Sequence, residues 1–408
     1  MAESKPAETE PKRGYLVDWE SRGQVKAAIA AGDPLLNEAL KSLIEQADAQ
    51  LTVPIRPVTA GKEDGTRLAP SGDPHDYVSL SPYWWPDPNS PDGLPYTRRD
   101  GEINPERAEY DTSKLGAMGK AVRTLGFAYY MTGDERYAER ATEHLRAWFV
   151  QPETRMNPSL RFAQFVPGVS IGRAVGIIDT NRLRWVPDAI VMISESPAWS
   201  ESDDQATRAW FGEFLDWLIT SDLGIAEANA KNNHGTWHSA QACLYALVTG
   251  RHDIARSLIT QALARVDHQF EPDGRQPHEL ARTRALDYTD FNIRGYTDIA
   301  AYGQVVGIDV LGYKGPEGQS ILGGLDWAVP YFTGDKDWKY KQISPPKRYM
   351  YFQTLRRAGN MMGNATYLEA ARRLTDLRPQ DRWMLLILPE THRAAGAHTD
   401  GEHVDAVR

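Results

Sequence analysis

Between Pro34 and Gln50, Leu35, Leu36, Leu40, Leu43 and Ile44 recur at three- and four-residue spacing, which predicts a helix with one apolar side. The pattern then stops. From Val53 to Asp111 no helical period appears, and Pro, Gly and Asp are frequent. Within this segment stands the run Ser81-Pro82-Tyr83-Trp84-Trp85-Pro86-Asp87-Pro88. A loop of such length inside a compact domain usually carries function. From Thr112 helical spacing returns. It predicts helices over 112–131, 134–149, 168–179, 182–195, 203–220, 234–249, 251–268, 294–309, 317–329, 347–360, 363–374 and 380–387. Links such as Thr132-Gly133-Asp134 and Thr249-Gly250-Arg251 are short, and short links join antiparallel neighbours. No stretch combines alternating apolar positions with hairpin turns. The expectation is an all-α fold, an α/α toroid of about six to seven helical hairpins, with the 53–111 segment over its cleft. The expected organisation is a flexible charged arm over 1–14, a single toroidal domain over 15–390 and a polar tail over 391–408.

Composition narrows the class. The 408 residues are 41% hydrophobic and 25% charged, which excludes disordered and collagen-like chains. Lys and Arg number 46 against 55 Asp and Glu, a net charge of −9. That balance argues against a nucleic-acid partner. A local basic cleft on an acidic protein can still hold an anion. One cysteine, Cys243, forbids an internal disulfide. No apolar run is long enough to predict a membrane-spanning helix. The start, MAESKPAETEPKRGY, lacks the apolar core of a signal peptide, and an exported protein would carry such a segment only before processing.

Four stretches can carry chemistry. The first is Asn232-Asn233-His234-Gly235-Thr236-Trp237-His238-Ser239-Ala240-Gln241. Ala240, Cys243, Leu244, Leu247 and Val248 form an apolar helix stripe. His234, His238 and Gln241 lie to one side of it, roughly 115° from its centre, so the pattern predicts a separate polar face. The two Asn stand where an N-cap belongs, and a helix N-terminus favours a carboxylate. The alternatives are local hydrogen bonding and a metal site. The i,i+4 histidines lack the internal Glu of a zinc-protease motif, since Gly235 stands there. The second stretch runs from Asp273-Gly274 through His278, Glu279, Arg282 and Arg284 to Tyr288, and reads alternatively as a solvated loop with surface ion pairs. The third places Arg161 after Asn157-Pro158, where it suits a sugar acid or a structural ion pair. The fourth is Tyr83-Trp84-Trp85 with His75-Asp76-Tyr77 before it. Its tryptophans suit sugar rings, or else anchor the loop.

Together these stretches resemble the alginate lyase superfamily of polysaccharide lyases, including its glucuronan-cleaving members. The matching residues are His75-Asp76-Tyr77, the run 81–88, Asn157-Pro158 with Arg161, Asn232-Asn233-His234, and Glu279-Leu280-Ala281-Arg282 through Ala285-Leu286-Asp287-Tyr288. They follow the family's order over most of the chain. The resemblance implies an incomplete (α/α) toroid and β-elimination at a 4-linked uronic acid, with C4=C5 unsaturated products. It implies Tyr288 as catalytic base and acid, and Asn233, His234 and Arg282 as neutralisers of the C5 carboxylate. It implies an acidic polysaccharide partner and a periplasmic or secreted location. Substrate contacts are expected from Arg161, His75, Tyr83, Trp84, Trp85, Asn232, His238, Gln241, His278 and Arg284. Some subfamilies carry Arg-Gly-Lys-Arg before the tyrosine. Here Arg282-Thr283-Arg284 is one residue shorter, so either arginine is a candidate for the carboxylate.

The chemistry needs those residue types. The C5 proton is α to a carboxylate and weakly acidic, because its removal builds a dianion that must be neutralised. A tyrosine of ordinary pKa near 10 needs nearby positive charge to act as base. In β-D-mannuronate and β-D-glucuronate, H5 and O4 lie on one side of the ring, so a single tyrosine can serve both in a syn elimination. In α-L-guluronate they lie on opposite sides, and His234 is then the candidate base. Poly-β-D-mannuronate is the expected substrate, with β-1,4-glucuronan as the alternative. Side chains suffice to neutralise the carboxylate, and no EF-hand spacing appears, so no cofactor or metal is expected. A glycoside hydrolase would instead need two carboxylates flanking the bond, with Asp73, Asp76, Glu279, Asp287 and Asp290 available. A non-catalytic sugar-binding protein would leave the Arg-rich segment before Tyr288 without a role.

Overall fold

The computed structural model describes residues 14–17, 22–375 and 383–390; the expected tail over 391–408 and all but the last residue of the expected arm over 1–14 lie outside the described residues. Its helices are α1 (Arg22–Ala30), α2 (Pro34–Leu51), α3 (Asp111–Thr132), α4 (Glu135–Leu145), α5 (Val186–Ile193), α6 (Glu201–Thr220), α7 (Asp222–Ala228) and α8 (Asn233–Val248). There follow α9 (His252–Gln269), α10 (Pro277–Leu280), α11 (Ala285–Val306), α12 (Ile321–Thr333), α13 (Arg348–Met362), α14 (Ala365–Leu374) and α15 (Met384–Ile387). Local chemistry sets their ends. Asp33 caps α2 by accepting from the Leu36 amide, with Pro34 in the first turn. Gly133 ends α3 in the left-handed region at φ 71°, and Asp134 caps α4.

Antiparallel hairpins α3–α4, α8–α9 and α13–α14 pack side by side. One row of elements runs from α3 through a 3-10 segment (Ala174–Trp185) to α8, α11 and α13. This is the all-α toroid that the helix pattern predicts. Helix α8 sits at its centre. Every residue from Gly235 to Val248 is buried, because α6, α7, α9, α11 and the 3-10 segment all pack on it. Of the predicted polar face, His238 and Gln241 therefore meet protein, and His234 lies outside the buried run. Gly295 permits the close approach of α11, since a Cβ there would stand 2.9 Å from the Thr236 methyl.

Three predicted helices differ. The spacing over 168–179 and 182–195 resolves into the 3-10 segment followed by α5. Gly176 lies against Ala163, where a Cβ would come within 2.6 Å of its backbone, so these apolar positions face another segment at contact distance. Pro187 suits the first turn of a new helix. The helix expected at 294–309 begins earlier, at Ala285, and takes Tyr288 onto its first turn. Its early half buries Asp290, Asn292 and Arg294, so polar side chains interrupt the apolar period there. The short helices α1, α7 and α10 had no clear pattern. Of the span 380–387, only the part from Trp383 is described.

The irregular segment before α3 is pinned by short strands. β1 (Val78–Leu80) pairs in parallel with β4 (Phe162–Phe165). β2 (Trp84–Trp85) pairs antiparallel with β3 (Thr97–Arg98), with Trp84 opposite Arg98. Pairs this short escape an alternation test.

Candidate active site

The β2–β3 ribbon, the 3-10 segment, and the N-terminal ends of α8 and α11 enclose a cleft of about 440 Å³. Gly235 holds the first turn of α8 close under the preceding loop, since a Cβ there would meet the Ala230 carbonyl oxygen at 2.2 Å. Asn232 is the N-cap and accepts from the His234 amide at 3.2 Å. Asn233 and His234 follow on the first turn and line the cleft. Arg282 and Tyr288 reach it from the segment entering α11.

Each of these side chains is held from behind. Glu279 on α10 accepts the Asn233 amide N–H at 2.7 Å and its side-chain Nδ2 at 2.6 Å. Burial pushes the Glu279 carboxyl up, against the pull of those two hydrogen bonds. The Asn233 Oδ1 is buried without a protein partner. Glu227 on α7, itself buried, lies 2.6 Å from His234 Nδ1. Arg282 donates to Asp100 at 2.8 Å and to the Tyr288 hydroxyl oxygen at 2.8 Å, with its guanidinium 3.8 Å from the Tyr288 ring centroid. Burial works to raise the Asp100 carboxyl, but hydrogen bonds from Arg282 and Thr283 outweigh it and hold Asp100 well below the usual carboxylate range. The Tyr83 and Tyr288 hydroxyls are 2.7 Å apart. Burial pushes the Tyr288 phenol well above its usual value, Tyr83 adds to this, and Arg282 opposes it.

The cleft is cationic. Arg98, Arg107, Arg173, Arg182 and Arg282 line it, against one lining carboxylate among the described residues, Asp179. Asp179 accepts from Tyr77, Ser79 and Gln164. Arg173 stacks 5.5 Å from the Trp84 ring centroid and donates to the Ser81 hydroxyl at 2.7 Å. Burial lowers the Arg173 pKa, as does Arg98. Arg98, Arg107, Arg173 and Arg182 carried no signal in the sequence: they stand in unrelated segments, and only folding gathers them.

The structure brings together Tyr83, Trp84, Asn232, Asn233, His234, Arg282 and Tyr288. Other expected contacts lie elsewhere. His238 and Gln241 are buried within the core, because α8 is packed on all sides. His238 faces the Leu218 carbonyl at 3.2 Å, and Gln241 accepts from Thr180 at 2.6 Å. His75 holds the Arg155 carbonyl through Nδ1 at 2.7 Å, and Asn157 ties Asp73 to Asp76. Those motif residues latch the segment before β1 and do not line the cleft. Arg161 is exposed, with its guanidinium 5.8 Å from the Phe162 ring centroid. His278 is exposed, and Arg284 turns to Asp287 at 3.5 Å. Trp85 donates to the Glu102 carbonyl at 3.0 Å, outside the lining that Trp84 joins. Of the carboxylates a hydrolase would draw on, Asp73, Asp76, Glu279, Asp287 and Asp290 are all absent from this lining. Among the described residues no cluster of three or more His, Cys, Asp or Glu is placed to hold a metal, and no helix is long and apolar enough to cross a membrane.

An all-α toroid whose cationic cleft sets a tyrosine against a guanidinium is the architecture of a polysaccharide lyase, and the chain is such an enzyme. The family model described as alginate lyase matches residues 62–338. An alginate lyase from Bacteroides ovatus, solved as a crystal structure, is 38% identical, with a TM-score of 0.86 over 92% of this chain and 99% of that one. Alginate lyase A1-III from Sphingomonas species A1 shares 15% identity at a TM-score of 0.53, over 93% of this chain and 96% of that one, a likeness of fold. No curated protein matches. The chain belongs to the alginate lyase family.

Proposed function

We propose that the protein cleaves alginate by β-elimination, acting on poly-β-D-mannuronate through a syn mechanism. The observation that carries this reading is the Arg282–Tyr288–Tyr83 contact beside Asn233 and His234. Arg282, Asn233 and His234 neutralise the C5 carboxylate, each donor contributing about 10²–10³ in rate. Tyr288, as phenolate, takes the C5 proton. The C5–H electron pair forms the C4=C5 double bond, the C4–O4 bond breaks, and the phenol returns a proton to O4. Burial and Tyr83 oppose the phenolate, while Arg282, within hydrogen-bond reach of its oxygen, favours it. General acid–base help of this kind is worth about 10²–10⁴.

Trp84 offers a plane for a sugar ring, and the four further arginines suit carboxylates on neighbouring units. No metal or cofactor enters this scheme. We assign the described toroid to one catalytic domain. A polymeric substrate made outside the cytoplasm fits a periplasmic or secreted enzyme.

Incubation with poly-mannuronate, poly-guluronate, glucuronan and a neutral glucan, with and without chelator, tests the reading. Ultraviolet absorbance from C4=C5 bonds is expected on poly-mannuronate, unchanged by chelator. Tyr288→Phe should lose about 10²–10⁴ of the rate. New reducing ends without absorbance would mean hydrolysis, and a response to glucuronan alone would move the substrate to that polymer.

A further inference from the structure

His234 meets a requirement that its own ring does not satisfy. With Nδ1 placed 2.6 Å from the Glu227 carboxylate, the neutral ring carries its proton on Nδ1 and leaves Nε2 as the nitrogen available to the cleft. Neutral Nε2 presents a lone pair, which repels a carboxylate. Only the doubly protonated ring can donate to the substrate there. Arg282, Arg173, Arg182 and Arg98 line the same cleft and oppose a further positive charge. On the other side stand two buried carboxylates, Glu227 from α7 and Glu279 from α10; Glu279 is committed to Asn233, and Glu227 touches the ring. Tyr288 on α11 adds no negative charge while it is a phenol.

We propose that Glu227 is a positioning residue for His234: it holds the Nδ1 proton, turns Nε2 to the cleft, and balances an imidazolium set against the substrate carboxylate. This rests on the lyase reading. At a pH where the free ring is neutral, the proton on Nε2 comes from solvent as the uronate binds, so binding there is coupled to proton uptake. A carboxylate behind a working histidine fixes both tautomer and orientation, as it does behind metal-bound histidines.

The geometry is tested without substrate. In ¹⁵N-histidine-labelled free protein, His234 is expected as the Nδ1–H tautomer when neutral, and the Nε2–H tautomer overturns the proposal. The coupling is tested by calorimetry of a tetra-mannuronate binding to Tyr288→Phe protein, in two buffers of different ionisation enthalpy. Proton uptake is expected there, and its persistence in the Tyr288→Phe/Glu227→Gln protein overturns the proposal. In kinetics, Glu227→Gln should lower kcat/KM on the order of 10² and move the alkaline limb of its pH profile to lower pH. In a His234→Gln background the same change should have no further effect, whereas an additive loss means a structural role and overturns the proposal. Should Glu227→Gln fail to fold, the tautomer in the unaltered protein still decides. Should no uronate polymer be cleaved, the lyase reading fails while the tautomer assignment stands or falls by itself.

Discussion

Asp100 shows how one side chain prepares another. It lies on the chain far before Arg282, yet holds that guanidinium against the Tyr288 hydroxyl. Its carboxyl is depressed in the folded protein, so the ionised form stabilises the fold. That contribution is full above the unfolded value near 4 and is lost as pH falls toward the folded value. Urea denaturation of the parent and Asp100→Asn proteins should therefore show a stability gap at neutral pH that narrows steadily in acid; a gap independent of pH would contradict this. The variant should also lose kcat, because Arg282 is freed from its anchor. At this scale Asn233, His234, Arg282 and Tyr288 stand in two motifs readable from the chain. Asp100 and Glu227 do not, since a carboxylate's partner across the fold leaves no trace in local spacing.

Helices decide which motif residues work together. In α8 the apolar stripe is readable, but the helix is buried all round, and that follows from its neighbours and not from its own pattern. His238 and Gln241 are on the core side of that outcome and His234, at the first turn, is not. Gly235 is the hinge of this arrangement. Gly235→Ala would drive a Cβ toward the Ala230 oxygen, and overpacking of this kind destabilises by about 1–3 kcal/mol. The expected result is a lower melting temperature together with a fall in kcat, as the shift displaces Asn233 and His234. An unchanged melting temperature would show that the loop gives way freely. Helix α11 teaches the complementary lesson. Its first half buries charged and amide groups, so the apolar period starts late and the helix boundary is read nine residues too far along.

Across the whole molecule, a chain of net charge −9 carries a cleft lined, among the described residues, by five arginines and one carboxylate. Long-range attraction to a polyanion is screened over roughly 8 Å at physiological ionic strength. Added NaCl should thus raise KM for an acidic polymer while kcat changes little, as measured by initial rates across salt. A KM that ignores salt would assign recognition to Trp84 and other uncharged contacts instead. Apolar periodicity and short links were enough to determine an all-α toroid, because helical amphipathicity and hairpin closure are local properties. That the tyrosine, the Asn-His pair and the arginine before the tyrosine line the cleft agrees with the family resemblance, whose motifs are continuous along the chain. Only the tertiary structure decided which arginines share the cleft, which histidine reaches it, and which carboxylates stand behind the cleft-lining groups. Those relations join residues from separate elements, and burial, not spacing, sets them.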